Sequence, residues 1–306
     1  MTKSFFTVFI LSFTLFINSA VQAATYLMPQ PGNDIIGQNF TIQVAKGDSL
    51  NSLSKRYGLS IHELIEANPT IENGRLKTGT TLLIPAQFIL PKYRQGIVIN
   101  LPELRLYYFT PDGKYVKTYP VGLGKRDWRT PTISTTVIDK KIDPEWNVPE
   151  TIRDYTFETR GKLLPEVIEG GSPENPLGHR ALYLAKPGYL IHGNNSPDSI
   201  GKFVSSGCIR MNNADVEELY PHVMTGTPVH ILNISQKVGW ENGTLYLESH
   251  IPVNLPEQET NLLNNDSVDM AIREAIGANT ANINWDLADQ VASERTGIPT
   301  AIGSAS

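Results

Sequence analysis

One cysteine and one histidine in this sequence have the residue types needed for nucleophilic chemistry. Cys208 is the only cysteine of the 306 residues, and His192 lies a short way before it. A thiol attacks as its thiolate, and a free cysteine with a pKa of about 8.5 is only slightly ionised at neutral pH. A histidine can take the thiol proton and later return one to a leaving amine. The pair predicts a cysteine nucleophile with His192 as general base and acid.

The residues next to Cys208 supply groups that would stabilise negative charge. Gly207 allows unusual dihedral angles and a close backbone approach, so the N–H groups of residues 207 and 208 could face an oxyanion. In extended geometry Arg210 shares a face with Cys208 and could hold a carboxylate. A helix expected to begin at Asn212 or Asn213 adds the dipole of its N-terminus. Together these features predict an anion-binding site around the thiol.

His192 closes the predicted strand "YLIHG", and Gly193 marks an abrupt turn directly after it. This position lets the imidazole project into a cleft. No acidic residue stands out as the group that orients the ring, and a backbone carbonyl near Gly193 would serve equally well. The remaining histidines lack a comparable pairing and are expected to be structural: His62, His179, His222, His230 and His250.

Metal chemistry and nucleic-acid binding are not expected. No two histidines have i, i+4 or H-x-H spacing, and one cysteine cannot build a thiolate zinc site, so the sequence predicts neither a metal nor another cofactor. The net charge of −5 leaves no basic excess to neutralise phosphates. A hydrophobic fraction of 40% is ordinary for a soluble globular protein.

Residues 1–23, "MTKSFFTVFILSFTLFINSAVQA", are predicted to be an export signal peptide. Lys3 provides the positive start, residues 5–17 are apolar, and small residues at 21–23 suit a cleavage site. The apolar stretch is shorter than the roughly 18–20 residues of a spanning helix, although an uncleaved anchor is the alternative. No cysteine stands directly after the cleavage site, so a lipid-modified N-terminus is not expected. The mature chain is expected to begin near Ala24, to lack a membrane span and to work outside the cytoplasm.

Export changes the meaning of a lone cysteine. Exported proteins usually carry cysteines as disulfide pairs, and an unpaired thiol in an oxidising compartment is at risk of oxidation. Any small apolar residue could fill a structural position without that hazard. The compartment therefore favours a chemical role for Cys208.

Residues 39–86 have the pattern of a small βααβ module. Phe40, Ile42 and Val44 alternate as a strand that faces a core. The stretch "TTLLIP" supplies the returning strand. Two helices with their own start and stop signals lie between these strands.

Capping residues delimit those two helices. Asp48 is expected to cap the first helix, which stops at Gly58. Ser60 and Glu63 have capping-box spacing for the second helix. With "VAKGDSL", "ANP" and "GTTLLIP", the module resembles a LysM domain. The resemblance implies binding to the N-acetylglucosamine-containing glycan of peptidoglycan, and the alternative is a structural cap without a ligand.

Residues 95–232 are expected to form a mostly β domain, a sandwich or a barrel. Short strands alternate with turns, as at "TPDGK". Long helical periodicity appears only after Cys208, on a helix whose apolar face carries Val216, Leu219, Tyr220 and Val223.

Residues 233–306 are expected to form a partly helical extension. A strand at "GTLYLES" is followed by two amphipathic helices, for which Asp266 or Ser267 and then Asn284 are the expected N-caps. Nothing in this extension identifies a chemistry.

The middle domain resembles the L,D-transpeptidase catalytic domain of the YkuD type. That pattern is His-Gly, a spacer, and Ser-x-Gly-Cys-x-Arg, matched here by "IHG" and "SSGCIR"; "PVGLG" and "NPLGHRALYL" also fit. The resemblance implies that Cys208 attacks the meso-diaminopimelate–D-alanine bond of a tetrapeptide stem and forms a thioester, with His192 as base and then acid. It also implies that Ser206, Gly207 and the Cys208 N–H line the oxyanion site and that Arg210 orients the substrate or the loop.

One position departs from the family pattern. Family members commonly have histidine where this chain has Ser206, so the base here is His192 alone. Gly193 is expected to join Ser206, Gly207 and Arg210 in the oxyanion and substrate-binding set.

The combination of modules is typical of a periplasmic Gram-negative group that acts on peptidoglycan stems. A second stem peptide is the favoured amine acceptor, which gives a direct cross-link, and the terminal lysine of an outer-membrane lipoprotein is the alternative. Water as acceptor would make the enzyme an L,D-carboxypeptidase or hydrolase, and a non-catalytic wall-binding protein is the last alternative. Removal of residues 24–90 is expected to weaken wall binding and to spare the turnover of soluble substrate.

Overall fold

The chain is described here from a computed structural model that covers residues 24–71, 74–253, 264–265 and 267–306. The predicted signal peptide at 1–23 and the alternative cap Asp266 lie outside the described residues. In the part of the chain that is described, no helix combines the length and the apolar content needed to cross a membrane.

The LysM-type module contains the predicted strand, two helices and strand. Ser49, rather than Asp48, caps the first helix, and its hydroxyl accepts a hydrogen bond from the Ser52 N–H. The Asp48 carboxylate instead accepts from the Ala45 N–H at 2.9 Å and pairs with Arg56 at 2.8 Å. The elements of residues 24–90, of which β3 to β4 form the module, are β1 (Ala24–Leu27), β2 (Ile35–Gly37), β3 (Phe40–Gln43), α1 (Leu50–Tyr57), α2 (Ile61–Glu66), β4 (Thr81–Ile84) and β5 (Gln87–Ile89).

The predicted start and stop signals of the two helices are mostly present in the structure. The predicted burial of Phe40, in the strand before them, is not. The capping box between Ser60 and Glu63 is present, and Gly58 ends α1 with a φ of 63°. Phe40, predicted to face the core, is 41% exposed and packs edge-on against Tyr57. The prediction for Phe40 is wrong because β3 pairs only with β4, in a two-stranded sheet at the module surface.

The middle of the chain is mostly β, as predicted, with a helix directly after Cys208. A helix at Glu150–Arg160 was not predicted, because none of its residues is buried and its sequence is polar overall. The elements are β6 (Gly96–Asn100), β7 (Arg105–Phe109), β8 (Tyr115–Pro120), β9 (Leu123–Gly124), β10 (Ile133–Ile142), β11 (Trp146–Asn147), α3 (Glu150–Arg160), β12 (Val167–Ile168), β13 (Arg180–Leu184), β14 (Leu190–His192), β15 (Phe203–Ser205), β16 (Ile209–Arg210), α4 (Asn213–Leu219) and β17 (Pro228–Ile234).

The C-terminal extension contains the expected strand and two helices. Ser267 and Asn284 cap these helices, with side chains that accept from the Met270 and Leu287 N–H groups. The elements are β18 (Gln236–Glu241), β19 (Thr244–Ser249), β20 (Asn264–Asn265), α5 (Val268–Ile276), β21 (Ala281–Ile283), α6 (Trp285–Glu294) and β22 (Thr300–Ala305).

One ten-stranded sheet organises the molecule. Its strands follow the order β1-β8-β7-β6-β17-β10-β13-β14-β16, with β20 paired to β17. The end of this order matters for function, since β14 carries His192 and β16 directly follows Cys208. These two strands are parallel neighbours, so the chain between them must cross over before it returns to the sheet.

The LysM-type module shares a hydrophobic core with the sheet. Leu106 and Tyr108 of β7 face the inner core, whereas Tyr107 and Phe109 pack on the other face with module residues such as Leu53. Every residue of β7 is therefore buried. Removal of residues 24–90 would expose this apolar face of the sheet, which argues against the expectation that the turnover of soluble substrate is spared.

A buried network joins the module and the C-terminal extension to the catalytic domain. His250 pairs with Glu66 at 3.1 Å and with Glu248 at 2.8 Å. Burial alone would lower the pKa of His250, but hydrogen bonds to these two carboxylates raise it to about 10. Lys237 continues the network to Glu248 at 2.7 Å and to Glu103 at 3.0 Å. The three parts of the chain are thus held together by charges as well as by apolar contacts.

This network contains a group with the spacing of metal ligands. Among the described residues, Glu103, Glu248 and His250 bring their ligand atoms within 4.8 Å of one another. The ammonium of Lys237 contacts both carboxylates, and His250 hydrogen-bonds one of them. The charges of this cluster are therefore paired with one another inside the protein, and the cluster needs no metal ion to be stable.

Candidate active site

The parallel pairing of β14 with β16 brings the predicted site residues to one edge of the sheet. Ile191 is opposite Ile209, and His192 is opposite Arg210. Cys208 directly precedes β16. The crossover between the strands therefore returns the chain so that the thiol and the imidazole lie at the same edge.

His192 is buried, and a backbone carbonyl orients its ring. Nδ1 lies 2.7 Å from the carbonyl oxygen of Gly193. A carbonyl can only accept, so Nδ1 carries the proton and Nε2 remains the basic nitrogen. This contact is the orienting carbonyl that was expected near Gly193.

The electrostatics keep this imidazole neutral. Burial lowers the pKa of His192 to about 4, with a further contribution from the nearby positive charge of Arg210. At neutral pH the ring is therefore an unprotonated base.

An asparagine pair, which sequence reasoning missed, holds the turn after His192. Asn213 Oδ1 accepts from the Asn194 N–H at 2.9 Å, and Asn213 Nδ2 donates to the Asn194 carbonyl at 3.0 Å. A Cβ on Gly193 would lie 2.3 Å from Asn213 Oδ1, which explains the glycine. The sequence indicates Asn213 only as a possible start of α4, and no local signal distinguishes that role from the contact with Asn194.

The loop before Cys208 depends on Gly207. Its φ is 107°, and a Cβ there would lie 3.0 Å from the ring of Tyr189. Thr130 Oγ1 donates to the Gly207 carbonyl at 2.8 Å, and the Gly207 N–H is donated to Ser205 Oγ at 3.2 Å. The expectation that the Gly207 N–H faces an oxyanion is therefore not met in this conformation.

The thiol is partly exposed and uncharged. Burial raises the pKa of Cys208, which the Leu190 backbone and the charge of Arg210 only partly offset. Its Sγ lies 3.5 Å from the Gly188 carbonyl. With His192 also neutral, the resting cavity contains an uncharged thiol and an unprotonated imidazole rather than an ion pair.

A cavity of about 740 Å³ contains most of the predicted residues. His192, Ser206, Cys208 and Arg210 line it, whereas Gly193 and Gly207 shape the backbone behind it. Sequence reasoning missed several other lining residues, because they come from β11, β13, the segments around α3 and the crossover after β14: Trp146, Asn147, Arg160, Lys162, Tyr183 and Asn195.

Arg210 brings a positive charge to this cavity. Its Nε is buried and, among the described residues, has no hydrogen-bond partner. Burial lowers the pKa of Arg210, yet a guanidinium remains charged at any physiological pH. A buried cationic donor of this kind is suited to an anionic ligand group.

A thiol, an unprotonated imidazole with a fixed tautomer and a cationic donor in one cavity are what a cysteine acyltransferase requires. The chain belongs to the L,D-transpeptidase family. Residues 94–231 match the family model of the L,D-transpeptidase catalytic domain, and residues 42–85 match that of the LysM domain. The resemblances found in the sequence are confirmed, and the chain is an L,D-transpeptidase with an N-terminal LysM domain.

Two relatives from Escherichia coli K12 carry the family assignment. The chain is 40% identical over 240 residues to the probable L,D-transpeptidase YcfS, covering 76% of this chain and 74% of that protein. It is 36% identical over 300 residues to the probable L,D-transpeptidase ErfK/SrfK, covering 95% of both. Among solved structures, the catalytic domain of the Enterococcus faecium L,D-transpeptidase covers 46% of this chain and all of that one, with 22% identity and a TM-score of 0.35.

Proposed function

We propose that Cys208 and His192 carry the transpeptidation through a thioester acyl-enzyme. His192 Nε2 takes the thiol proton as the sulfur attacks the carbonyl of meso-diaminopimelate at its bond to the terminal D-alanine. The carbon–nitrogen bond then breaks, and D-alanine leaves with the proton returned by His192. The observation that carries this assignment is the contact of Nδ1 with the Gly193 carbonyl, since it leaves Nε2 as the base beside the cavity that holds Cys208.

Arg210 is proposed to bind a carboxylate of the stem peptide. Arg210 lines the cavity, and its charged guanidinium offers N–H donors in a planar arrangement that suits a carboxylate. The Cys208 N–H and Ser206 are proposed to line the oxyanion site; Ser206 is exposed at the cavity wall. Gly193 and Gly207 are proposed to contribute through their backbones, which pass close to Asn213 and Tyr189 where a side chain would not fit.

The second step is proposed to transfer the acyl group to the side-chain amine of another diaminopimelate residue. The amine attacks the thioester, His192 accepts its proton, and the Cys208 thiol is restored. The LysM domain supports a substrate within the cell wall, since it would hold the enzyme on the glycan that carries the stems. A periplasmic location after removal of residues 1–23 is part of this proposal.

The acceptor is tested by product analysis. Purified enzyme is incubated with tetrapeptide muropeptides and an equal concentration of a peptide that ends in the lysine of an outer-membrane lipoprotein. We expect cross-linked dimers joined through two diaminopimelate residues, identified by mass spectrometry. If the acyl group is joined only to the lipoprotein peptide, the acceptor is the lipoprotein lysine and not diaminopimelate. If only tripeptides form, the acceptor is water and the enzyme is a carboxypeptidase.

The neutral state of His192 makes a prediction about pH. Because its pKa is lowered to about 4, the base is protonated only below that value, and the acylation rate should fall on the acid side with a midpoint near pH 4. The measurement is the rate of carbapenem adduct formation on Cys208 as a function of pH. His192→Ala should lower the rate about 10²–10⁴-fold and remove this acid limb.

A second variant checks the cause of the low pKa. Arg210→Gln removes the positive charge near the imidazole, so the acid limb should move toward higher pH. An acid limb near the ordinary histidine pKa of about 6.5 in the wild-type enzyme would contradict the buried, neutral base.

A further inference from the structure

The crossover between His192 and Cys208 rests directly on the LysM domain. Gly201 lies in this crossover with a φ of 75°, and a Cβ there would lie 2.7 Å from Ser60 Cβ and 3.2 Å from the Ile61 backbone nitrogen. Ser60 is fully buried and caps α2. The catalytic crossover and the LysM helix thus touch at a distance that only glycine permits.

The LysM side of this contact is held firmly. The Ser60 N–H donates to Glu63 Oε2 at 2.6 Å, and Ser60 Oγ accepts from the Glu63 N–H at 3.0 Å. Arg105 of β7 donates to both oxygens of Glu63, at 2.7 and 2.9 Å. Ser60 therefore cannot yield without disturbing a buried ion pair.

The other side of the crossover is held by the segment that follows β8. The Gly201 N–H donates to the Val121 carbonyl at 3.0 Å, and the Leu123 N–H donates to the Lys202 carbonyl at 2.9 Å. The Lys125 N–H donates to the Ser205 carbonyl at 3.0 Å. The crossover is thus enclosed between the LysM helix and this segment.

The same segment and the same crossover reach the nucleophile. Gly122 exchanges backbone hydrogen bonds with Arg210, at 2.9 and 2.8 Å. Ser205 Oγ donates to the Cys208 carbonyl at 2.6 Å. A displacement at Gly201 would be passed along these hydrogen bonds to Ser205 and Arg210, which lie before and after Cys208 in the chain.

We propose that Ser60 and Gly201 are positioning residues for the transpeptidation, and that the LysM domain is a structural part of the catalytic site as well as a binding module. The start of α2 holds the crossover, and the crossover sets Cys208 relative to His192. This role rests on Cys208 being the nucleophile, as proposed above. Because misplacement of reacting groups by about 1 Å can cost a factor of about 10², a modest shift at this contact has a measurable effect.

The test is the rate at which a carbapenem acylates Cys208, measured by intact mass, in Gly201→Ala and a matched control. Gly113 has a φ of 67° and no atom within 4 Å of an added Cβ, so Gly113→Ala carries similar backbone strain without the contact. We expect Gly201→Ala to lower the rate roughly 10- to 100-fold and Gly113→Ala to leave it unchanged. Equal rates in the two variants would overturn the positioning role.

A double variant separates positioning from general damage. Ser60→Gly removes the Cβ that the new methyl group would meet, and glycine is an acceptable N-cap residue. The double variant Ser60→Gly/Gly201→Ala should therefore recover most of the rate of Ser60→Gly alone. If Gly201→Ala does not fold, recovery of folding and rate in the double variant supports the contact, and failure of both variants overturns it.

The outcomes also distinguish this role from the proposed mechanism. Wild-type enzyme that gains no adduct on Cys208 would contradict the mechanism itself. Wild-type enzyme that gains the adduct, together with Gly201→Ala that gains it at the same rate, would contradict only the positioning role.

Discussion

Cys208→Ala is expected to abolish acyl-enzyme formation completely. The chain has no second cysteine, and no other residue can therefore form the thioester through which the acyl group passes. Incubation with a carbapenem should add one molecule to the wild-type chain and none to the variant, as measured by intact mass. Tetrapeptide turnover should disappear in parallel.

Two controls make this result specific. Ser206→Ala, which changes the exposed cavity residue two positions before the cysteine, should keep the adduct, because it removes no nucleophile that the mechanism uses. The Cys208 side chain is partly exposed and small, so the thermal midpoint of Cys208→Ala should remain close to the wild-type value. Full activity in a folded Cys208→Ala enzyme would refute the mechanism.

Arg105→Ala is expected to destabilise the whole chain by about 3–5 kcal/mol. The substitution leaves the carboxylate of Glu63 buried without a counter-charge. Arg105 is fully buried, and its guanidinium binds Glu63 of the LysM domain through two hydrogen bonds. It also donates to Thr118 at 2.9 Å and to the Gly58 carbonyl at 3.2 Å. The measurement is urea unfolding of the full chain, followed by circular dichroism.

The matched control is an ion pair of the same type on the surface. Arg273 pairs with Asp269 at 2.8 Å on the exposed side of α5. Arg273→Ala should leave the unfolding midpoint almost unchanged, since exposed pairs contribute little. The double variant Arg105→Met/Glu63→Met should be less destabilised than Arg105→Ala, because it leaves no buried charge. Equal midpoints for Arg105→Ala and Arg273→Ala would show that the buried pair does not couple the two domains.

Local signals allowed most elements to be predicted from the sequence. The Ser60 and Glu63 capping box, the Gly58 stop and the caps Ser267 and Asn284 are each satisfied within a few residues of the chain. Such contacts form wherever the segment lies in the fold, so the sequence pattern is sufficient to find them. The first cap was misplaced by one residue because aspartate and serine both suit that position and stand next to each other.

Elements that carry little apolar pattern could not be found in this way. The helix α3 buries no residue, and its sequence is polar overall, so no apolar run marks it as a helix that packs on a core. It nevertheless contributes Arg160 to the cavity, together with Lys162 just beyond its end. Pairing across long separations was likewise invisible, as between Asn194 and Asn213, since many asparagines begin helices and few lock a distant turn.

The sequence by itself determined the two modules and predicted Cys208 as nucleophile and His192 as base, because each of these is defined by residue types at short spacing. Only the tertiary structure decided that the His192 ring is neutral and donates from Nδ1 to the Gly193 carbonyl, that the Gly207 N–H donates to Ser205 Oγ, and that the LysM domain shares a core with the catalytic sheet. Each of these depends on burial or on which backbone group meets which side chain. Burial is a property of the packed chain as a whole, and no short segment encodes it alone.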